Sequence, residues 1–306
     1  MIPAHVEEKL VILKKDDSSG ASEFIKRAIE ILREFLKGVT SDREDITKPV
    51  RNLSRTIMNA RPSMAPLINT VGYLLEDLGE ITKGKLLKKI TRLEKKRKQI
   101  VEALEGNLVQ FLKEKGRRLK IMVLSYSSTI LTPLKKCGEQ DWAFYVLESR
   151  PLCEGRRTAR ILSEHFKTHL LVDAAIGKFM GEMDVVLVGI DSILKEGSVI
   201  NKIGTYPLSV LAHEEGKEVW AIGDSFKYNL RSHFEEEVLI EEKPASQVYE
   251  SEKEDIKVHN YYFDITPSKY LSGILSEYGA LSIENFLSKI EEELPKEWFP
   301  SFLDHS

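Results

Sequence analysis

The sequence predicts an α/β protein in which an N-terminal helical domain precedes a domain built on a mostly parallel sheet. In the first third of the chain, apolar residues recur every three or four positions, which is the spacing of a buried helix face. After Gly116, short segments rich in β-branched and aromatic residues alternate with helix-like stretches, which is typical of parallel strands joined by crossover helices. Because the pattern changes at residues 113–118, we predict domains at residues 1–116 and 117–306.

Three helices and no strand are predicted before residue 118. The first covers residues 22–38 and ends at Gly38, a residue type that is common just after a helix. The second covers residues 65–77 and the third residues 85–115. The apolar residues that predict the first helix are Phe24, Ile25, Ala28, Ile31, Leu32, Phe35 and Leu36.

Six strands and three further helices are predicted after Gly116. The helix-like stretches between strands are residues 155–167, 174–183 and 206–217. The polar, acidic segment 235–259 is expected to be a surface excursion before the last strand. The predicted strands are residues 120–128, 142–149, 169–174, 184–191, 218–225 and 260–266.

The composition favours a protein of the reducing cytoplasm. The formal net charge of the 306 residues is only −3, so the overall charge indicates no polyanionic partner. Two cysteines, Cys137 and Cys153, do not make a disulfide framework. The N-terminus is too charged for a secretory signal, and apolar runs such as residues 185–190 are too short to cross a bilayer. We expect no metal, no cofactor and no membrane contact.

One segment of the chain, residues 83–99, is strongly basic. Residues 83–99 hold nine basic residues and a single acidic one, Glu94. Clustered positive charge can bind RNA phosphates without sequence preference. The run has no aromatic residue for stacking on bases, however, and its apolar residues keep helical spacing. We therefore favour a solvated helix face over a nucleic-acid site.

Polar residues lie just after the predicted strands, where open α/β sheets bind their ligands. The first strand is followed by Ser125–Ser128, and the second by residues 148–159, which contain three arginines. The fourth is followed by residues 189–192 and 201–205, and the fifth by residues 224–227. These stretches are the candidate functional site.

The motifs in these stretches resemble those of a known superfamily. Residues 188–228, VGIDSILKEGSVINKIGTYPLSVLAHEEGKEVWAIGDSFKY, resemble its signature. The superfamily unites the regulatory subunits of translation initiation factor 2B, methylthioribose-1-phosphate isomerase and ribose-1,5-bisphosphate isomerase. Residues 149–159 resemble its Arg-Pro-x-x-Gln-Gly loop, and residues 60–74 and 263–281 resemble an N-terminal and a C-terminal element. The resemblance spans about residues 20–285 and implies a Rossmann-like C-terminal domain.

The resemblance also implies which residues would be catalytic in an isomerase. Family isomerases place a cysteine after the first Rossmann strand and an aspartate in a Gly-x-Asp motif. Asp191 occupies the aspartate position, but Ser127 occupies the cysteine position. Tyr126 stands in place of a histidine and Ile130 in place of a basic residue. Because a serine hydroxyl is a far weaker acid than a thiol, we expect no enzymatic rate of isomerisation.

A partial binding site for an anionic ligand remains. Arg150, Arg157, Asn201 and Lys202 are candidate ligand-binding residues, because arginine forks and lysine ammonium groups both suit phosphate. Glu154 stands where the family loop has glutamine, and a carboxylate there would repel a phosphate.

Each candidate has a purely structural alternative. Arg61, also predicted to bind ligand, would instead anchor the corner between the domains. Asn201 and Lys202 would instead shape the turn into the next helix. Asp191 would instead be a helix N-cap or a turn residue, and this interpretation is favoured because the cysteine is absent.

The sequence as a whole predicts a regulatory protein similar to the initiation factor 2B subunits, without isomerase activity. The resemblance implies a homodimer or higher oligomer through the C-terminal domain, contact with the alpha subunit of initiation factor 2, and binding of a sugar phosphate or nucleotide. The alternative is a sugar-phosphate aldose–ketose isomerase. A nucleotide-binding dehydrogenase is not favoured, because no GxGxxG motif follows the first strand.

Overall fold

The computed structural model describes residues 3–16, 21–60, 64–76, 79–250, 256–294 and 296–300. In the N-terminal part of these residues the helices are α1 (Ala4–Lys15), α2 (Ala21–Lys37), α3 (Thr47–Met58), α4 (Ala65–Leu75) and α5 (Lys83–Lys115). Three of them, α2, α4 and α5, were predicted from the sequence, and their ends lie within two residues of the prediction.

The sequence prediction missed α1 and α3. Helix α3 has few apolar positions: its buried face carries Val50, Leu53 and Ile57. Pro49 lies in its first turn, where the missing N–H of proline costs no helical hydrogen bond. The sequence signal for this short helix was therefore weak, because proline usually ends or interrupts a helix.

The strands are β1 (Arg118–Leu124), β2 (Asp141–Leu147), β3 (Lys167–Leu171), β4 (Val185–Gly189), β5 (Ser192–Ile193), β6 (Val199–Lys202), β7 (Glu218–Ile222), β8 (Phe263–Thr266), β9 (Gly273–Ser276) and β10 (Gly279–Leu281). Seven form one sheet in the order β10-β9-β7-β4-β1-β2-β3. All neighbours in this sheet are parallel except β9 and β10. The predicted α/β class with a mostly parallel sheet is thus confirmed.

Helices lie between these strands, as parallel pairing requires. They are α6 (Ser128–Leu134), α7 (Gly155–Leu162), α8 (Ile176–Phe179), α9 (Thr205–Glu214) and α10 (Leu230–His233), and a further helix, α11 (Ile283–Glu293), follows β10. The predicted helices at 155–167 and 206–217 correspond to α7 and α9, and the stretch 174–183 is broken into α8 and flanking 3₁₀ turns.

The strand at the C-terminal end differs from the prediction. Strand β8 does not extend the large sheet but pairs with β6, in a three-stranded antiparallel sheet of order β5-β6-β8. The large sheet ends instead with β9 and β10. Strand β9 was missed because it is short and begins with Gly273, where a Cβ would overlap the Leu281 carbonyl oxygen and the Trp220 ring. A glycine inside a strand weakens its sequence signal.

Two apolar clusters cover the two faces of the large sheet. Met122 and Leu124 of β1 belong to the cluster that also contains the buried side chains of α1–α4. Ile121 and Val123, which alternate with them, belong to the cluster that contains Leu104 and other residues of the C-terminal half of α5. Helix α5 therefore contributes to both clusters, and the buried side chains of α1–α4 belong to the same cluster as one face of the sheet.

The change from helices to sheet lies where the sequence pattern changes. Helix α5 ends at Lys115, and β1 begins at Arg118. The division into domains 1–116 and 117–306 stays a prediction. In the parts of the chain described above, none of the helices combines the length and apolarity needed to cross a membrane.

Candidate functional site

The candidate site lies at the carboxyl ends of β2, β1 and β4, which are neighbours in the sheet. The strand order brings together three stretches that the sequence analysis selected, at residues 125–128, 148–154 and 189–192. A fourth stretch, Asn201 and Lys202, ends strand β6, and both of these residues are buried. This is the edge at which open α/β sheets bind ligands.

The loops after β1 and β2 are locked together by hydrogen bonds. The backbone N–H of Ser125 donates to Ser149 Oγ over 2.7 Å, and Ser149 Oγ donates to the carbonyl of Leu147 over 2.9 Å. The Asp173 carboxylate accepts from the backbone N–H groups of Ser149 and Arg150, each at 2.7 Å.

Three residues of these loops adopt left-handed backbone conformations. The φ angles of Ser125, Ser149 and Cys153 are 69°, 65° and 56°. Such conformations cost about 1–3 kcal/mol for a non-glycine residue and cluster at functional sites. The hydrogen bonds between the loops hold this strained arrangement in place.

An ion pair links Lys202, a predicted site residue, to Glu154, which the sequence analysis expected to repel a phosphate. Lys202 Nζ lies 2.8 Å from Glu154 Oε1, which also accepts a hydrogen bond from Ser125 Oγ at 3.1 Å. Lys202 is only 4% exposed. The buried atoms Lys202 Nζ and Glu154 Oε2 have no hydrogen-bond partner among the described residues, so the Lys202–Glu154 contact is a charge contact without hydrogen-bond geometry. Buried polar atoms are usually paired, so this pair retains capacity to bind a polar ligand.

Asn201 and Ser127 converge above Gly189. A Cβ built on Gly189 would lie 3.2 Å from Asn201 Oδ1 and 3.5 Å from Ser127 Oγ. The Asn201 amide also donates to Thr205 Oγ1 at 2.9 Å, and that hydroxyl donates to the carbonyl of Lys202. Asn201 and Lys202 therefore shape the turn into α9, and their side chains also lie at the candidate site.

Asp191 lies among charged groups at the end of β4. Burial raises the pKa of its carboxyl, the positive charges of Lys227 and Lys202 oppose this rise, and the charge of Glu154 adds to it. A carboxyl with a raised pKa is a stronger base than an ordinary aspartate, and it can pass a proton closer to neutral pH.

Lys227 was not among the predicted site residues, although the sequence analysis noted the stretch 224–227. Its side chain is 7% exposed. Burial lowers the pKa of the Lys227 ammonium group, while the charges of Asp191 and Asp224 raise it and that of Arg97 lowers it. Lys227 is thus a second buried cation beside Asp191.

Arg97 was also missed, because it lies in the basic run that was interpreted as a solvated face. Its guanidinium donates to both carboxylate oxygens of Asp224, at 2.7 and 3.0 Å, and is buried. The available signal was spacing: Arg97 continues the series of Ile90 and Leu93 on the buried face of α5.

The predicted arginines lie at the edge of the site. Arg150 is exposed, and its guanidinium donates to the carbonyl of Val248 at 3.1 Å. Arg157 is exposed too, with its Cζ 4.1 Å from the centroid of the Tyr126 ring. Ile130, in place of a family base, is a residue of α6 that is buried in the core. Arg61 lies outside the described residues.

A large surface groove lies elsewhere. It has a volume of about 640 Å³ and runs between α5 and α6, with Val109, Lys113, Pro133 and Cys137 among its lining residues. None of its lining residues belongs to the candidate site.

Comparison with known proteins gives a consistent family and fold. The sequence model of the "Initiation factor 2 subunit family" matches residues 17–283. A ribose 1,5-bisphosphate isomerase from Archaeoglobus fulgidus is 31% identical over 284 residues, which are 90% of this chain and 89% of the relative. A second isomerase of that name, from Methanocaldococcus jannaschii, is 28% identical over 90% of this chain and 91% of its own length. The crystal structure of translation initiation factor eIF-2B from Pyrococcus horikoshii OT3 superposes with a TM-score of 0.78. It is 25% identical and covers 93% of this chain and 99% of its own.

These relatives correct the functional prediction. A regulatory protein without isomerase activity was predicted because Ser127 replaces a cysteine. The identity to ribose 1,5-bisphosphate isomerases over nine tenths of both chains supports the alternative instead. The prediction was wrong because it gave decisive weight to the replaced residues at three positions, Ser127, Tyr126 and Ile130.

Proposed function

The chain belongs to the Initiation factor 2 subunit family, and we propose that it is an aldose–ketose isomerase that acts on ribose 1,5-bisphosphate. The observation that carries the proposal is the placement of Asp191. This carboxyl with a raised pKa stands beside Lys202 and Lys227, at the position that the catalytic aspartate occupies in family isomerases. The substrate is that of the relatives named above, which align over nearly the whole chain.

The reaction needs one proton acceptor close to two neighbouring carbons. The Asp191 carboxylate takes the proton from C2 of the sugar as the bond between C1 and the ring oxygen breaks, and the ring oxygen takes a proton from water. The resulting enol carries oxygen on both carbons. Asp191 then returns its proton to C1, and the C2 hydroxyl gives its proton to water, which yields the ketose. C1 and C2 are bonded to each other, so one carboxyl group can serve both carbons, and no thiol is required for this transfer.

Lys227 and Lys202 supply the positive charge that this chemistry needs. Negative charge develops on the oxygen atoms of the enol, and a preorganised cation in a dry site stabilises it strongly. Both ammonium groups lie close enough to Asp191 to lower the pKa of its carboxyl. The Lys202 ammonium group can also bind a phosphate of the substrate, which then replaces Glu154 as its partner. Arg150, Arg157 and Asn201 remain candidate ligand contacts around these two lysines.

Ser127 takes a lesser part than a catalytic cysteine would. Its hydroxyl, like the Asn201 side-chain oxygen, lies close to Gly189, where it can donate a hydrogen bond to a sugar oxygen. A neutral hydrogen bond of this kind contributes about 0.5–1.5 kcal/mol.

Assembly into a dimer through residues 117–306 accompanies this function. The edge strand β3 and the residue after it expose apolar side chains: Leu170 is 49% exposed and Val172 is 59% exposed. Two-fold dimers are the commonest assembly of soluble proteins. Light scattering should give a mass of about twice 34.9 kDa, and a mass near that of one chain would contradict the dimer. Contact with the alpha subunit of initiation factor 2 stays a prediction from the resemblance.

Phosphorus NMR tests the proposed reaction directly. Ribose 1,5-bisphosphate incubated with the protein should convert to a ketose bisphosphate with enzymatic turnover. Ribose 5-phosphate, which lacks the phosphate on C1, serves as the control substrate and should react far more slowly. Absence of any ketose product from the bisphosphate would reject the proposed function.

A further inference from the structure

We propose that Arg97, on the long N-terminal helix α5, is a positioning residue for the active site, because it fixes the turn that carries Lys227. The inference rests on the proposed function. Arg97 is far along the chain from the turn at residues 224–227. It acts on the site through Asp224, Phe226 and Lys227. It makes the N-terminal helices part of the catalytic machinery.

The guanidinium of Arg97 holds this turn at two points. It donates to Asp224 Oδ1 at 2.7 Å and to Asp224 Oδ2 at 3.0 Å, which is the fork geometry of a strong carboxylate pair. Its Cζ also lies 4.6 Å from the centroid of the Phe226 ring. Asp224 and Phe226 flank Ser225 in the turn that leads to Lys227. The Arg97 guanidinium therefore contacts side chains on both sides of Ser225.

The turn itself has little freedom left. Asp224 Oδ1 accepts from the backbone N–H of Phe226 at 3.0 Å, and the N–H of Lys227 donates to the carbonyl of Asp224 at 2.9 Å. From the other side, Asn69 of α4 donates its amide to the carbonyls of Phe226 and Tyr228, at 2.8 and 2.6 Å. Helices α4 and α5 thus both bind the turn that carries Lys227, and the charge of Lys227 acts on Asp191.

Arg97 also determines which carboxyl near the turn is ionised. Burial opposes the charged form of Asp224, yet Arg97 and Lys227 hold the pKa of Asp224 below its usual value. Glu277 accepts from the backbone N–H of Ser225, and burial together with the charge of Asp224 raises its pKa to about 7. Arg97 therefore keeps the negative charge on Asp224, which stands beside Lys227. Without Arg97, the two neighbouring carboxyls would compete for that charge.

An exposed ion pair between α2 and α5 offers a matched control. Arg33 of α2 contacts Glu94 of α5 at 2.7 Å, only three positions before Arg97. Both of these side chains are well exposed, and neither touches the turn at Lys227. An exposed ion pair contributes little to stability, so its loss should leave the active site unchanged.

Steady-state kinetics of Arg97→Met, Arg97→Lys and Arg33→Met test the inference. We expect Arg97→Met to lower kcat about 10- to 100-fold with KM within about threefold, because displacement of a catalytic group by about 1 Å can cost about 100-fold in rate. Arg97→Lys should recover part of this loss, and Arg33→Met should match the wild type. An unchanged kcat in Arg97→Met would overturn the inference. If Arg97→Met does not fold, the double variant Arg97→Met with Asp224→Asn takes its place in the comparison. The double variant leaves no unpaired charge where Arg97 contacts Asp224.

A second readout does not depend on activity. With ¹³C-labelled aspartate, the Asp224 carboxyl should titrate below the ordinary aspartate pKa of about 3.9 in the wild type and above it in Arg97→Met. Arg33→Met should keep the wild-type titration. An Asp224 pKa that is the same in Arg97→Met and the wild type would overturn the inference even if the enzyme is active. Absence of turnover in the wild type, together with the expected Asp224 shift, would reject the proposed function alone.

Discussion

Two sets of cations surround the candidate site, and they differ in burial. Arg150 and Arg157 are exposed at the rim, where they contact a backbone carbonyl and a tyrosine ring. Lys202 and Lys227 are 4% and 7% exposed and lie beside the charges of Glu154, Asp191 and Asp224. Arginine is the better phosphate ligand by shape, yet the protein places lysine where water is excluded. We therefore expect the buried lysines to contribute more to catalysis than the exposed arginines.

The largest effect is expected at the buried cation nearest the reacting groups. Replacing Lys227 by methionine removes the positive charge beside Asp191, and kcat should fall about 100- to 1,000-fold, as when one preorganised donor is lost from an active site. The exposed Lys269, which lies 4.8 Å from the Tyr270 ring centroid, provides the control variant Lys269→Met. Rates of the two variants, measured on proteins with similar melting temperatures, decide the question. Equal rates would show that Lys227 has only a structural role.

The buried pair should also determine the pH dependence of the rate. Asp191 must be ionised to accept a proton, and its raised pKa moves the acid limb of kcat/KM above the usual aspartate value of about 3.9. Lys227 must be protonated, and its lowered pKa moves the alkaline limb below about 10.4. The profile should therefore be a bell with both limbs displaced inward. A rate that stays constant from about pH 4 to 10 would be incompatible with these two groups.

A smaller effect, mainly on KM, is expected from the second buried lysine. Lys202→Ala removes a charged contact to the phosphate, which is worth about 1.5–3 kcal/mol, and so should raise KM about 10- to 100-fold. The variant also leaves Glu154 without its partner, so Lys202→Ala combined with Glu154→Gln is the better comparison. If the double variant binds substrate as well as the wild type, the phosphate lies elsewhere.

The smallest effect is expected at the rim. Arg150→Ala and Arg157→Ala remove exposed charges, which typically contribute about 0–1 kcal/mol, so KM should rise by no more than about fivefold. The effect of either substitution on KM should also become smaller at high salt, because exposed charges are screened. An increase in KM beyond that of Lys202→Ala would reverse the comparison and identify the arginines as the main phosphate ligands.

Much of this arrangement could be predicted from the sequence, because local patterns determine it. The strand–loop pattern placed Asp191 just after β4, at the carboxyl edge of the parallel sheet. It also selected Asn201 and Lys202, although these end β6 of the antiparallel sheet. The helical spacing of apolar residues gave α2, α4 and α5 nearly to their ends.

The features that could not be predicted from the sequence depend on contacts between residues that are far apart along the chain. Arg97 looked solvated among basic neighbours, and only contact with Asp224, 127 positions away, explains its burial. Arg150 looked like a ligand, but its loop directs its guanidinium toward Val248. The pairing of β8 with β6 rather than with the large sheet likewise depends on tertiary contacts, which apolar periodicity does not encode.

The most direct measurement of the central claim compares Asp191→Asn with Asp141→Asn by phosphorus NMR of ribose 1,5-bisphosphate. Asp141 begins β2 at the opposite end of the strands and forms an exposed ion pair with Arg118, so it tests the same substitution away from the site. Asp141→Asn should make ketose at the wild-type rate. Asp191→Asn, which loses its proton acceptor, should be about 100- to 10,000-fold slower. Equal rates in the two variants would contradict the assignment of proton transfer to Asp191.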